Sequence, residues 1–248
     1  MGDSMTAWPQ GYGRHVFDVL DSTLSEAARM APTMAGPNWI LALEQTAARG
    51  RRGRSWTTPR GNFAGTLIMQ RRDPPAQAAL RSFVASLALY RSFVAVTGQG
   101  DAFALKWPND VLLQGGKVAG ILLESIGDHL VIGIGVNLAH APDASQVEAR
   151  ALTPVSVLGA LGIDVAPEVF LDVLAAEYDA LETQFTTNGF APIRRAWLSH
   201  AARLGAVITA RTMRDETIGT FEDVDETGNL ILQTANGRVA ITAADVYF

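Results

Sequence analysis

The chain has 248 residues, a formal net charge of −5 at pH 7 and no cysteine. This length suffices for one large globular domain, or for one large and one small domain. The lack of cysteine excludes disulfides, thiolate metal sites and thioester chemistry, and makes the cytoplasm the default location. A mildly acidic chain is not expected to bind nucleic acid in general, and we expect no apolar stretch long enough to span a bilayer.

The first third of the chain predicts alternating strands and helices. Residues 14–46 predict a strand, a helix and a strand, with Ser22 as the N-cap of the helix. A polar, arginine-rich loop then runs to about Asn62, and FAGTLIMQ predicts a buried strand. Residues 74–98 predict one long helix that begins with proline and ends at Gly98.

The rest of the chain predicts a β-rich centre, two helices and a small β domain. FALKWPNDVLLQGGKVAGILLES and HLVIGIGVNL predict three or four short strands joined by tight turns. Residues 140–153 predict a loop, followed by an amphipathic helix over 167–185 and another helix near 190–200. From Gly205 short strands alternate with turns, so we expect one domain over 1–204 and a small acidic β domain over 205–248.

The segment ARGRRGRSW carries four arginines in six positions. Guanidinium groups bind carboxylate or phosphate through paired hydrogen bonds, and glycines let the backbone close over a ligand. Trp56 can stack on a heterocycle, so the segment suits an acidic adenylate. A solvated arginine face, or an Arg-Gly segment that contacts RNA, is the alternative interpretation of these residues alone.

Two standard phosphate-binding motifs are absent. Gly116-Lys117 is followed by Val118, and Val111 stands where a Walker loop needs its first glycine. GIGVNL supplies only the first two glycines of the dinucleotide-binding fingerprint. A nucleotide would therefore need a different cradle.

Both lysines of the chain lie in the stretch KWPNDVLLQGGK, and every other Lys or Arg residue is arginine. Lys106 stands with Asn109 and Asp110 in a turn before one strand. Lys117 opens the next strand, so ammonium, amide and carboxylate groups are expected on one sheet face. Two amines near one carboxylate suit nucleotide phosphates accompanied by Mg²⁺, although WPND also fits a plain structural turn.

The segments EQTAARGRRGRSW, KWPNDVLLQGGKVAGILLES and VIGIGVN, in this order, resemble three sequence blocks of biotin protein ligases. The resemblance covers roughly residues 20–138, and the acidic β tail is similar to the family's C-terminal SH3-like domain. It implies an α/β (α+β) catalytic domain related to class II aminoacyl-tRNA synthetases and lipoate ligases. It also implies activation of biotin by ATP to biotinyl-5′-AMP, and transfer of biotin to a lysine of a biotin carboxyl carrier protein or carboxylase domain.

The resemblance assigns site residues by position. The residues that it implies for biotin binding are Ser22, Thr23, Gln45, Arg49, Gly50, Arg51 and Lys117. Those that it implies for ATP binding are Arg51, Arg54, Trp56, Lys106, Asn109, Lys117 and Asn137. The implied catalytic residues are Lys117, Arg51 and Asp110. No transition-metal site is expected, because the histidines lack ligand spacing, and Mg²⁺ is expected with ATP.

Several of these residues also have plainer interpretations. Ser22 and Thr23 lie in an ordinary helix start, and Gln45 alone would be a polar residue at a strand end. Asn137 follows a Gly-Ile-Gly-Val run and could simply occupy a left-handed turn. Asp110 could orient or deprotonate the incoming amine, or make a purely structural hydrogen bond.

The chain departs from the family pattern at two positions. Leu24 stands where the family has Asn after Ser-Thr, and Ala48 stands where it has Gly before the first arginine. Leu24 would alter recognition of the biotin ring, and Ala48 would stiffen the loop. These changes concern the identity of the substrate rather than the activation chemistry.

Three other functions fit parts of the sequence. A lipoate or octanoate ligase shares the fold and the adenylate chemistry, an RNA-binding module would use the Arg-Gly loop, and a degenerate homologue would bind a ligand without ligating it. A biotin-dependent repressor is not expected, since about 13 residues precede the first predicted strand, too few for a winged helix. We expect no DNA or membrane partner, and the sequence leaves a homodimer open.

Overall fold

The computed structural model of the chain describes residues 7–50, 53, 56, 58–143, 152–212 and 215–248. The strands of its large sheet are β1 (Gly13–Phe17), β2 (Asn38–Ala42), β3 (Phe63–Gln70), β4 (Phe103–Lys106), β5 (Asp110–Leu113), β6 (Gly116–Ile126) and β7 (His129–Val136). Their order is β1-β2-β3-β7-β6-β5-β4, with β1 parallel to β2 and every other pair antiparallel. The hairpin from β5 to β6 turns at Gln114 and Gly115, both with positive φ, as a tight two-residue turn requires.

The helices in the described residues are α1 (Thr23–Met30), α2 (Pro75–Ala79), α3 (Arg81–Thr97), α4 (Val157–Leu161), α5 (Pro167–Asn188) and α6 (Phe190–Leu198). The single helix predicted over 74–98 is therefore wrong in one respect, since it is broken at Leu80. The Leu80 N–H donates to the Gln77 carbonyl three residues back, which tightens the turn and interrupts the α-helical ladder. The predicted end at Gly98 is confirmed, where φ is +69°.

The short helix α4 was not predicted. Five residues are too few to show a helical period in the sequence. The helix begins where the Ser156 hydroxyl accepts a hydrogen bond from the Gly159 N–H at 3.1 Å. Within the predicted loop over 140–153, residues 144–151 lie outside the described part of the chain.

The two faces of the large sheet are covered unequally. One face packs against α3 and α5, where alternate strand residues such as Trp39, Leu41 and Phe63 enter the main core. The other face carries α1, which packs Leu24 against a smaller cluster that includes Ile40. Because α1 has only eight residues, it covers only part of this face.

The stretch Pro75–Thr97 is long and apolar enough to cross a membrane by length and composition. The expectation that no such stretch exists is therefore wrong. This segment is mostly buried inside the structure, where α3 packs against α5, α6 and strands β4–β6. Its apolar residues form part of the protein core. A helix buried in a core and a helix that spans a membrane are both apolar on most sides, so they have similar compositions.

A second sheet follows, with strands β8 (Val207–Arg211), β9 (Glu216–Val224), β10 (Leu230–Thr234), β11 (Gly237–Ile241) and β12 (Asp245–Tyr247). Its order is β11-β10-β9-β8-β12, and all neighbours are antiparallel. Phe221 and Leu232 belong to the same hydrophobic cluster as Trp39 of the large sheet. The Trp107 indole also donates to the Gly228 carbonyl at 3.0 Å, so this sheet is packed onto the first. The boundary near residue 204 stays a prediction.

Candidate active site

A cavity of about 580 Å³ lies on the sheet face that α1 leaves open. Its floor includes Gly133 and Gly135 of β7, which face the same side as Val131. A Cβ at Gly133 would come within 2.9 Å of Leu24, and one at Gly135 would collide with the Trp56 ring. The glycines of GIGVN therefore make room for these side chains and for the cavity. The volume lies in the range of small-molecule sites.

The cavity collects most of the predicted site residues from distant parts of the sequence. The predicted residues that line it are Ser22, Thr23, Gln45, Arg49, Gly50, Trp56, Lys106, Asn109, Asp110, Lys117 and Asn137. Leu24 and Ala48, the two departures from the family pattern, line it as well. Arg51 and Arg54 lie outside the described residues, so their predicted roles stay predictions.

One end of the cavity is a chain of neutral hydrogen bonds. The Thr66 hydroxyl on β3 donates to the Thr23 hydroxyl at 2.8 Å. The Thr23 backbone N–H and hydroxyl both donate to Oε1 of Gln45, at 2.8 and 3.2 Å. The Gln45 amide in turn donates to the Thr58 hydroxyl at 3.1 Å. Because Thr58 and Thr66 are buried, this network orients Thr23 and Gln45.

Ser22 occupies the N-cap of α1, as predicted, but its hydroxyl makes no capping hydrogen bond. The Ser22 N–H donates instead to the Asp21 carboxylate at 2.8 Å. Arg29 also donates to that carboxylate and lowers the pKa of Asp21 to about 2. The helix start is thus held by Asp21 and Arg29, while Ser22 lines the cavity.

The other end of the cavity is charged. The Asp110 carboxylate lies 2.7 Å from the Lys117 ammonium and 3.5 Å from the Lys106 ammonium. Burial lowers the pKa of Lys106 below its ordinary value and the charge of Lys117 lowers it further, whereas Asp110 opposes both effects. Asp245 also lines the cavity, so two ammonium groups and two carboxylates are present here. The two ammonium groups are the part of this end that suits a polyanionic ligand.

The backbone around these three residues is fixed by the hairpin and its neighbours. Lys106 pairs with Asp110 across β4 and β5, and the backbone of Lys117 bonds to Thr153 and Val155. The Asn109 amide donates to the Ile121 carbonyl, and the Ile121 N–H donates back to the Asn109 carbonyl at 3.0 Å. The WPND turn is therefore a structural clamp on β6 as well as part of the cavity wall.

Trp56 and Asn137 lie between the two ends. The Lys117 ammonium is 5.6 Å from the centroid of the Trp56 ring, within the range of a cation–π contact. The Asn137 amide donates to the Val155 carbonyl at 3.1 Å. Among described residues other than glycine, positive φ occurs at Gln114 and Arg203, so the left-handed turn considered for Asn137 is wrong.

Sequence reasoning missed several residues around the cavity. Thr66 is a polar residue inside the otherwise apolar strand FAGTLIMQ, a signal that could have identified it. Glu124, at the end of GILLE, accepts two hydrogen bonds from the Arg49 guanidinium, one of them 2.8 Å long. Asp245 and Val246 reach the cavity from β12, and no local pattern predicts that approach.

Two protein-family models match the chain. The biotin/lipoate A/B protein ligase family matches residues 16–137, and the biotin protein ligase C-terminal domain matches residues 204–248. A biotin–[acetyl-CoA-carboxylase] ligase of Paracoccus denitrificans is 54% identical over 233 residues, which cover 92% of this chain and 97% of that protein. The chain belongs to the biotin protein ligase family. This membership was predicted from the sequence and is confirmed.

More distant relatives agree with this membership. The bifunctional ligase/repressor BirA of Bacillus subtilis is 30% identical over 244 residues, which cover 94% of this chain and 74% of that protein. The solved structure of a biotin protein ligase from Aquifex aeolicus, in complex with biotin and ATP, has a TM-score of 0.83 at 24% identity. The match covers 94% of this chain and 98% of the Aquifex aeolicus chain. The predicted fold class, α/β with a C-terminal β domain, is confirmed.

Proposed function

We propose that the chain is an ATP-dependent biotin protein ligase. It activates biotin to biotinyl-5′-AMP and transfers biotin to one lysine of a biotin carboxyl carrier protein or domain. One observation carries the proposal: a single cavity joins a neutral hydrogen-bonding end to an end that holds both lysines of the chain. This cavity occurs in a chain 54% identical to a biotin–[acetyl-CoA-carboxylase] ligase.

The neutral end suits the ureido ring of biotin. That ring is uncharged and offers one carbonyl acceptor and two N–H donors, which match hydroxyl and amide groups. Ser22, Thr23 and Gln45 supply such groups at one end of the cavity. Leu24 is buried beside them and adds an apolar surface for the sulfur-containing ring.

The charged end suits the activation step. The biotin carboxylate attacks the α-phosphorus of ATP, a new P–O bond forms, and the bond to the leaving pyrophosphate breaks. Carboxylate and triphosphate repel each other, so the step needs fixed positive charge where negative charge builds. Lys117, held by Asp110 at 2.7 Å, supplies that charge together with Lys106. We assign Arg51 and Arg54 to the same task.

The nucleotide base and the metal have matching residues. Trp56 offers a ring face for adenine, and Asn137 lies beside it in the cavity wall. The carboxylates that line the described part of the cavity are Asp110 and Asp245. A Mg²⁺ ion in an ATP site is held by substrate phosphates and one or two carboxylates. Asp245 suits this role. Asp110 is bound by Lys117 and Lys106. When bound, the ion neutralises phosphate charge.

In the transfer step, the lysine amine of the carrier attacks the acyl carbon of biotinyl-AMP. A C–N bond forms, the C–O bond to AMP breaks, and the amine loses a proton. Asp110 stands beside both lysines and orients the incoming amine by accepting its hydrogen bond. Because the reaction consumes ATP, we place it in the cytoplasm.

The test is ATP–pyrophosphate exchange with the full chain. We expect exchange to depend on added biotin, and labelled biotin to appear on a single lysine of a biotin carboxyl carrier domain. Exchange driven by lipoate or octanoate instead of biotin would assign the chain to the alternative ligase of the same fold. Salt-sensitive RNA binding without any exchange would overturn the proposal.

A further inference from the structure

The resemblance placed Arg49 among the biotin-binding residues, yet its guanidinium is already paired. Both of its terminal nitrogens donate to the Glu124 carboxylate. The side chains of Arg49 and Glu124 are 44% and 27% exposed, so the pair is partly screened from water. Paired hydrogen bonds of this kind fix the direction of the guanidinium as well as its distance.

Glu124 does not line the cavity, but it stands on a strand that does. Strand β6 carries Gly120 and Leu122 in the cavity wall, and Glu124 is the next residue of that face. Its partner belongs to the chain segment that forms the opposite wall, where Ala48, Arg49 and Gly50 line the cavity. The ion pair thus joins two walls of one site.

The same wall is held at a second point. The backbone N–H of Trp56 donates to the Ala48 carbonyl at 3.1 Å, which joins the two ends of the arginine segment. The Arg49–Glu124 ion pair fixes the chain at the residue after Ala48. The next residue, Gly50, has no side chain that could fix the backbone there. Without the Glu124 contact, the backbone of Arg49 and Gly50 would lose its tie to β6.

We propose that Glu124 is a positioning residue that holds the Arg49–Gly50 wall against β6 and thereby slows the release of biotinyl-AMP. The inference rests on the proposed function. Glu124 acts through Arg49 and touches no substrate. In this arrangement Arg49 serves as an anchor of the wall, and its backbone, rather than its guanidinium, faces the ligand.

The test measures the release of biotinyl-AMP from the purified full chain, loaded with biotin and ATP in the absence of carrier. A second readout is biotin labelling of bystander lysines on serum albumin. We expect Glu124→Gln and Arg49→Lys each to speed release about five-fold, the size expected for a partly exposed ion pair, and to raise bystander labelling in parallel. Biotin-dependent ATP–pyrophosphate exchange should persist in Glu124→Gln, because Glu124 does not line the cavity.

Two further variants separate the wall contact from general effects of charge. Asp18→Asn removes a carboxylate that binds Arg60 at 2.7 Å on the exposed surface, and it should release the adenylate at the wild-type rate. The double variant Arg49→Glu/Glu124→Arg restores an ion pair with reversed charges. It should reverse at least half of the increase in release rate that either of its single substitutions causes. Persistence of biotin-dependent exchange in Glu124→Gln shows that this single variant folds.

Three results would overturn the inference. The first is a rate of release in Glu124→Gln that is equal to or slower than that of the wild type. The second is a double variant that releases biotinyl-AMP as fast as its single substitutions. The third is an increase in release rate in Asp18→Asn as large as that in Glu124→Gln. Each leaves the proposed function intact as long as exchange depends on biotin. Loss of biotin dependence in the unmodified chain would instead contradict the proposed function itself.

Discussion

The two ends of the cavity are built from different chemistry. The neutral end consists of Thr23 and Gln45, oriented by buried threonines, and contains no formal charge. The charged end places both Lys106 and Lys117 within ion-pair distance of Asp110. One end can therefore discriminate between uncharged rings by the geometry of donors and acceptors, whereas the other attracts any polyphosphate.

The two ends should also differ in how much free energy a single group contributes to binding or catalysis. A neutral hydrogen bond contributes about 0.5–1.5 kcal/mol, because water competes for the same groups. A fixed charge aimed at developing negative charge in a cavity contributes more, about 3–4 kcal/mol for a single group. Substitutions at the charged end should therefore reduce the rate of chemistry, and those at the neutral end should mainly weaken binding of biotin.

The largest effect is expected for Lys117→Ala. Removal of the ammonium leaves the developing phosphate charge without its nearest cation, so biotin-dependent ATP–pyrophosphate exchange should fall at least about 100-fold. The loss should appear in kcat, with a smaller change in the KM for biotin. A fall of less than about three-fold would place the activating charge elsewhere.

The pH dependence of ATP binding should expose Lys106. Burial lowers its pKa below the ordinary 10.5, so the ammonium is lost as the pH rises through that lowered value. The KM for ATP should then increase. The free energy of unfolding of the ligand-free chain should rise over the same pH range, because the unfolded chain binds more protons there. Loss of the proton removes the buried charge of the folded chain.

Lys106→Met is the control for this prediction. In this variant the KM for ATP should already be raised at neutral pH and should not rise further at alkaline pH. The increase in stability at alkaline pH that Lys106 causes should also be absent. An unchanged alkaline rise in the KM of the variant would show that another group titrates.

A smaller effect is expected for Thr66→Val, which tests the neutral end. The substitution keeps the shape of the buried side chain but removes the hydroxyl that orients Thr23 at 2.8 Å. We expect the KM for biotin to rise about five-fold, equivalent to about 1 kcal/mol, with kcat for exchange within two-fold of wild type. Thr66→Ser keeps the donor and should retain most of the affinity. Equal affinity in both variants would remove Thr66 from biotin recognition.

The smallest effect is expected for Asp21, at the exposed start of α1. Its pKa of about 2 reflects hydrogen bonds from Arg29, so its contribution to stability is present above pH 3.8 and is lost as the pH falls towards 2. Asp21→Asn should flatten this part of an acid-unfolding curve and leave exchange at neutral pH unchanged. A large loss of exchange would mean that the Asp21 contact positions Ser22 for biotin.

The elements that could be predicted share strong local signals. The β5–β6 hairpin was predicted from Gly115-Gly116, and the structure places its two-residue turn one position earlier, at Gln114 and Gly115. The end of α3 follows from Gly98, because positive φ favours glycine at tight turns and helix ends. The break at Leu80 had no such signal, because the helical period of the sequence continues through it. The helix α4 was too short to show any period.

The same contrast holds in the site. Lys106, Asp110 and Lys117 could be named because they lie in a distinctive motif, whereas Thr23 and Gln45 were assigned through the family resemblance. Glu124 and Asp245 have no motif of their own. Their relation to the cavity depends on strand register and on how β12 packs against the first sheet, which involve residues far apart in the chain.

The amino-acid sequence alone determined the family, the fold class, the two lysines beside one carboxylate and the arginine-rich segment, because these depend on residue type and local spacing. Only the tertiary structure decided that Thr66 orients Thr23 at the neutral end, that the GIG glycines make room for Leu24 and Trp56, and that Glu124 binds Arg49. Each of these contacts joins separate strands or loops. Their distances are set by sheet register and packing, which no local pattern encodes.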